Sequence, residues 1–191
     1  KPVYVEKPMA RTHAECQAMI TACQAAGVPL FVAYYRRCLP AFQKVKELVD
    51  RGAVGTVRFV SIRLYHSPHP SDGDPLHLPW RVQPEISGGG YFYDLGSHQL
   101  DYLDFLFGKI EKVKSIALNH SGLYKAEDYV SMEFLFNKNI AGTGIWSFAS
   151  SPSSNRDIIE IIGEKGQIKF SCFSFEPIVL ENQDGRKEFI N

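Results

Sequence analysis

Residues 1–52, KPVYVEKPMARTHAECQAMITACQAAGVPLFVAYYRRCLPAFQKVKELVDRG, read as strand, helix, strand, helix. Residues 1–6 alternate into a short Val-Tyr-Val strand that Pro8 ends, because proline fixes φ and has no N–H to donate. Thr12 followed by Glu15 carries the capping-box spacing, and the apolar positions Met19, Ile20 and Ala26 close at Gly27. Residues 28–35 form an apolar and aromatic run of strand length, and residues 40–51 an amphipathic helix that opens on Pro40 and stops at Gly52. Parallel strands need a crossover, usually a helix, so this order predicts the tail of a doubly wound α/β domain.

Working outward, residues 56–66 are rich in β-formers. Residues 67–83, with His66 at their edge, hold several prolines, the Ser71-Asp72-Gly73-Asp74 turn, His69 and His77, and predict a long loop of the kind used as lids or binding elements. Gly88-Gly89-Gly90 then precedes a helical pattern over about residues 93–107, with Leu95, Leu100, Leu103 and Leu106 inward and Gly108 as the stop. From residue 110 helix signals give way to strands, at 113–118, 128–136, 140–148, 157–163, 167–172, 178–181 and 187–190. Turn residues at 137–139, 163–166 and 182–185 predict that neighbouring strands pair as antiparallel hairpins. The expected fold is therefore α/β (α+β), a doubly wound tail followed by a large, mostly antiparallel open sheet packed on helices. The expected division is residues 1–36 and residues 37–191. Phe134, Phe136, Trp146 and Phe148 are assigned to the sheet face away from the helices, where a second copy would bind to give a homo-oligomer.

Composition narrows the partners. Lys plus Arg and Asp plus Glu number 21 each, so the chain lacks the positive field that neutralises phosphates, which argues against nucleic acid. The longest apolar runs, such as residues 158–162, are too short for a bilayer, which argues against a membrane partner. Cys16, Cys23, Cys38 and Cys172 show no metal-ligand spacing and are expected to be small buried hydrophobes in a reducing, cytoplasmic setting. The chain begins with Lys1 rather than Met, so the native start is expected upstream.

Asp94 and His98 lie four apart on the third helix, on one face, where both can reach the same ligand. The glycines before them admit a ligand or a second backbone. A carboxylate beside an imidazole fixes its tautomer and raises its basicity, giving a general base near neutral pH. An Asp at a helix start can equally be a cap, and a lone His a satisfied core residue. Lys7, between Glu6 and Pro8, stands at a strand edge of the type where α/β sheets bind ligands, although a lysine there is more often solvated. Tyr35, Arg36 and Arg37 follow the second strand and could touch a substrate or equally form a solvated face. His66, His69 and His77 have no matching carboxylate or Cys pattern, so no metal is expected.

Together these segments resemble the Gfo/Idh/MocA family, which includes glucose-fructose oxidoreductase and inositol dehydrogenase. Val3-Tyr4-Val5-Glu6-Lys7-Pro8 is similar to the family's Glu-Lys-Pro segment at the end of its Rossmann domain, and residues 88–101, GGGYFYDLGSHQLD, to its glycine-rich helix motif. The resemblance implies that Lys7 bonds the reacting hydroxyl, His98 acts as general acid/base and Asp94 orients the imidazole or holds a neighbouring hydroxyl. It further implies that Trp80 and Arg81, like Tyr35 and Arg36, line a sugar or polyol site, and that Glu6, Lys7 and Pro8 meet an NAD or NADP cofactor. The family's upstream Gly-x-Gly-x-x-Gly turn does not occur in these 191 residues, so they are expected to bind dinucleotide weakly and to be inactive alone. A non-catalytic sensor or a self-associating sheet module of the same fold are the alternatives.

Overall fold

The computed structural model describes residues 1–174 and 176–190. Val3–Val5 (β1) pairs in parallel with Leu30–Val32 (β2), Val3 opposite Leu30 and Val5 opposite Val32, and His13–Ala25 (α1) is the crossover between them. Thr12 caps α1 by accepting the Glu15 backbone N–H, while the Glu15 carboxylate turns back to the N–H of Arg11 at 3.0 Å rather than to that of Thr12. β2 is shorter than residues 28–35 because a tight turn follows it, in which Tyr34 N–H donates to the Val32 carbonyl at 2.8 Å. A 3-10 turn, Tyr35–Cys38, and the helix Pro40–Asp50 (α2) come next. Cys23 and Cys172 are buried and Cys16 is half-buried, but Cys38 is exposed because this turn points it outward, which corrects the expectation for that thiol.

Val57–Tyr65 (β3) enters the large sheet, and the chain leaves it through the loop to Pro84–Ser87 (α3) and Ser97–Phe107 (α4). The loop is held by short 3-10 turns and by buried Asp72, which accepts the Tyr91 hydroxyl at 2.7 Å and the His69 N–H at 2.8 Å. The remaining strands are Ile110–Leu118 (β4), Tyr129–Phe136 (β5), Ala141–Ser147 (β6), Arg156–Gly163 (β7), Gly166–Phe170 (β8), Ile178–Asn182 (β9) and Lys187–Ile190 (β10). They assemble with β3 in the order β10-β9-β8-β7-β3-β6-β5-β4, antiparallel except for β3 beside β6.

That exception corrects the expectation that every neighbouring pair forms a hairpin. β4 to β6 and β7 to β10 do pair in sequence, but β3 lies between β6 and β7. The turns at 137–139, 163–166 and 182–185 are short and rich in Gly and Asn, whereas the 148–155 connection carries no glycine and spans the inserted strand. Apolar alternation makes β3 the centre, since Val60, Ile62 and Leu64 are all buried on one face.

α2 and α4 cover that face. Phe42, Val45 and Leu48 from α2 and Tyr102, Leu103, Leu106 and Phe107 from α4 pack on the sheet, each fully buried aliphatic contributing about 1.5–3 kcal/mol. Phe134, Phe136, Trp146 and Phe148 belong to this core and do not face outward, which corrects their assignment. On β5 the parity that faces α4 is that of Val130, Phe134 and Phe136. Opposite it Gly142 and Gly144 leave room for the Phe134 and Trp146 rings to lie across β6, where a Cβ would overlap them. The opposite face carries Phe59 and Ile116, both exposed, and a polar ladder in which Glu160 meets Ser61 at 3.0 Å, Arg63 at 2.6 Å and Lys169 at 3.3 Å.

Candidate active site

The glycine run serves a second backbone rather than a ligand. Gly88 has φ +87°, and a Cβ there would stand 2.7 Å from the Arg11 backbone; one at Gly90 would stand 2.8 Å from the Glu127 carbonyl. The N-terminal segment is thereby pressed against the turn that follows, and the Tyr93 hydroxyl ties it there by donating to the Ala10 carbonyl at 2.5 Å. That turn, Phe92–Gly96, is π-helical and leads into α4, so Asp94 sits in a widened turn and His98 in regular helix.

Lys7 leaves the C-terminal end of β1 and its ammonium reaches this turn, 87 residues on. It donates to the Asp94 carbonyl oxygen at 3.1 Å and to Asp94 Oδ1. Arg81 Nε donates to the other carboxylate oxygen at 3.1 Å, and Ser97 Oγ donates to the same carbonyl at 3.1 Å. The Lys7 and Asp94 side chains keep only 14% and 17% of their surface. An ammonium has three protons, so one remains for a ligand oxygen.

His98 is 4% exposed, and three rings meet it edge-on: Tyr34 at 6.0 Å, Tyr35 at 5.8 Å and Phe173 at 6.1 Å between centroids. Its pKa is lowered to about 4, chiefly because burial disfavours the charged ring and secondarily because Lys7 and Arg36 repel it, with Asp94 opposing. The imidazole is therefore neutral at pH 7, in contrast to the raised basicity expected from the Asp94–His98 spacing. The Asp94 carboxylate is engaged by Lys7 and Arg81, and no described residue hydrogen-bonds the His98 ring.

The other expected residues divide. Tyr35, half exposed, lines His98, and Arg36 lies beside it, its guanidinium 4.6 Å from the Phe173 ring centre and 5.6 Å from that of Tyr35. Arg81 belongs to the site through Asp94, whereas Trp80 reaches it only by stacking on Arg81 at 4.6 Å. Pro8 follows Lys7 through a cis peptide, and Glu6 is exposed. Arg37 pairs with Asp101 instead, at 3.1 Å from its Nε. Sequence reasoning missed Tyr34, Ser97 and Phe173. Tyr34 is disguised as the end of an apolar run, and nothing local links Phe173 to a histidine 75 residues earlier. His66 stacks on Phe148, His69 caps its loop turn and His77 pairs with Asp74 at 2.8 Å. Among the described residues no group of three or more His, Cys, Asp or Glu is arranged to hold a metal. No described helix is long and apolar enough to cross a membrane.

An open, mostly antiparallel sheet backed by helices, with a lysine from a parallel strand end meeting an acid and a histidine at a helix start, defines a two-part α/β architecture. Its sequence matches the GFO/IDH/MocA C-terminal domain over residues 42–169, and the chain belongs to the Gfo/Idh/MocA oxidoreductase family. It is 34% identical over 182 residues to an oxidoreductase of Formosa agariphila, covering 95% of this chain and 56% of that protein. The solved aldose-aldose oxidoreductase of Caulobacter crescentus, complexed with glycerol, is similar at 27% identity and TM-score 0.83, covering 100% of this chain and 56% of the other. The WlbA dehydrogenase of Bordetella pertussis, in complex with NADH and UDP-GlcNAcA, aligns at 26% identity and TM-score 0.82, covering 100% of this chain and 53% of the other. The chain thus spans about half the length of the curated relatives it matches.

Proposed function

We propose that the chain forms the substrate side of an NAD(P)-dependent oxidoreductase acting on a sugar, inositol or related polyol, with Lys7, Asp94 and His98 as its catalytic residues. The observation that carries this reading is the meeting of a lysine with an unengaged proton and a neutral histidine around one carboxylate. The names of similar proteins, an aldose-aldose oxidoreductase complexed with glycerol and a dehydrogenase in complex with NADH and UDP-GlcNAcA, support the substrate class.

A nicotinamide, when bound, supplies the hydride acceptor at its C4. Glu6, Lys7 and Pro8 at the end of β1 would hold that end of the cofactor. They fit, because ligands of open α/β sheets bind outside the carboxyl ends of parallel strands, and Lys7 and Tyr35 both follow such ends. His98, neutral above about pH 4, accepts the proton of the reacting hydroxyl. Lys7 donates its third N–H to that oxygen and stabilises alkoxide character. Asp94 fixes the lysine and Arg81, so it positions the cation rather than the imidazole. Tyr34, Tyr35 and Phe173 exclude water from the ring. In this reading residues 1–36 face the nucleotide-binding half and residues 37–191 form the substrate domain, whose exposed sheet face, with Phe59 and Ile116, takes a second copy.

Proton transfer of this type contributes about 10²- to 10⁴-fold in rate. In the full-length protein, with NAD or NADP and a panel of sugars and polyols, His98→Ala is expected to lose kcat by that factor while its circular dichroism is unchanged. Near-normal turnover in that variant refutes the assignment.

A further inference from the structure

We propose that the substrate of this site carries a carboxylate, held by Arg36 beside His98, and that its class is a sugar acid rather than a neutral sugar. The proposal rests on the oxidoreductase reading above and names the substrate of that same site.

The charges around His98 do not balance. Lys7, Arg36 and Arg81 gather there, and Asp94 is their one close carboxylate among the groups that act on the ring. That carboxylate is divided between Lys7 and Arg81, which leaves Arg36 without it. The nearby acids are engaged elsewhere. Asp101 holds Arg37, and Asp157 accepts the Ser171 hydroxyl, the Phe173 N–H at 2.6 Å and the Gln99 amide at 3.4 Å. Alkoxide stabilisation needs one cation, and Lys7 supplies it. Among the described residues the second cation has no acid partner, and in this proposal its anion arrives with the ligand.

Arg36 is built to receive one. Its Nη1 donates to the Cys172 carbonyl, and its Cζ stands over the Phe173 and Tyr35 rings. The segment it leans on is fixed in turn by Asp157, by Gln99 and by Trp146, whose indole N–H donates to Gln99 Oε1 at 2.6 Å. A guanidinium held this way loses little freedom on binding. Its Nε is buried and has no hydrogen-bond partner among the described residues, a costly condition for a charged donor that a ligand oxygen entering beside it would relieve. Nε and Nη2 form the edge that grips a carboxylate with two parallel bonds, whereas a sugar hydroxyl can accept only one of them.

The test follows the arginine Nε–Hε signals by NMR while the protein is titrated with d-glucuronate, its methyl ester or d-glucose, with Arg36→Met assigning the resonance. The proposal expects the Arg36 signal to move with d-glucuronate at concentrations roughly 10- to 100-fold below those needed with the ester or with glucose. An Arg36 signal that stays still, or that responds equally to acid and ester, overturns it. Turnover of neutral sugars with NAD by the full-length protein, lost in His98→Ala, would in that case leave the oxidoreductase reading standing while the carboxylate falls.

Discussion

Acid should destabilise this chain through one histidine well before its carboxylates titrate. His98 has a pKa of about 4 in the folded protein against 6.5 for the model imidazole. A histidine with a depressed folded pKa contributes stability that is complete above the unfolded value and is lost as pH falls toward the folded one, because only the unfolded chain takes up the proton in that interval. At 1.36 kcal/mol per unit of difference, the loss between pH 6.5 and pH 4 is roughly 3 kcal/mol, a large share of the 5–15 kcal/mol typical of a domain. Residual solvent screening makes that figure an upper bound. The carboxylates of Glu160 and Asp128, held below their usual 4.5 and 3.8, contribute fully above those values and begin to lose that contribution only at the foot of the window, equally in wild type and variant. Urea unfolding of the wild type and of His98→Gln at half-unit steps from pH 8 to pH 4.5 isolates the effect, since the cost of the substitution itself cancels when only the change with pH is read. The wild type is expected to lose roughly 2 to 3 kcal/mol more than the variant across that range. Parallel curves would mean that the imidazole is not buried as described, and the neutral general base would go with it.

Two further outcomes follow from particular contacts. Trp146→Phe replaces the buried indole by a smaller ring and strands the buried Gln99 Oε1, so a loss of at least about 1–3 kcal/mol in chemical denaturation is expected; a neutral result would mean the Trp146–Gln99 bond does not anchor α4 to the sheet. Lys7→Met removes a cation that repels the His98 proton, so the imidazole pKa read by NMR should rise above about 4 yet stay short of 6.5, because burial is the larger cause; an unchanged or lower value would place the ammonium away from the ring.

Much of this was legible in the chain, and the exceptions have physical reasons. The periodicities of residues 13–25 and 40–50 gave their helices, and turn chemistry at 137–139, 163–166 and 182–185 gave three hairpins. Hairpin signals say nothing about which strand slips between two hairpins, so the central place of β3 beside β6 was not visible. The aromatics of β5 and β6 were placed on the wrong face because aromatic content was weighed without parity, and the glycines opposite them were the overlooked clue. At the site, Lys7, Asp94 and Arg81 converge, while the hydrogen-bonded pairing of Asp94 with His98 inferred from a four-residue spacing is absent among the described residues because Lys7 and Arg81 take the carboxylate. Phe173 and Tyr34 reach His98 through topology, which no local pattern encodes.

The central claim is that Lys7 and His98 act on one substrate oxygen. A double-mutant cycle in kcat/KM, made from Lys7→Met, His98→Ala and the pair in the full-length protein, tests it directly. Groups that serve a single proton transfer are strongly non-additive, so the double variant should be scarcely slower than the slower single one. Losses that simply multiply would show the two residues working independently and would contradict the account.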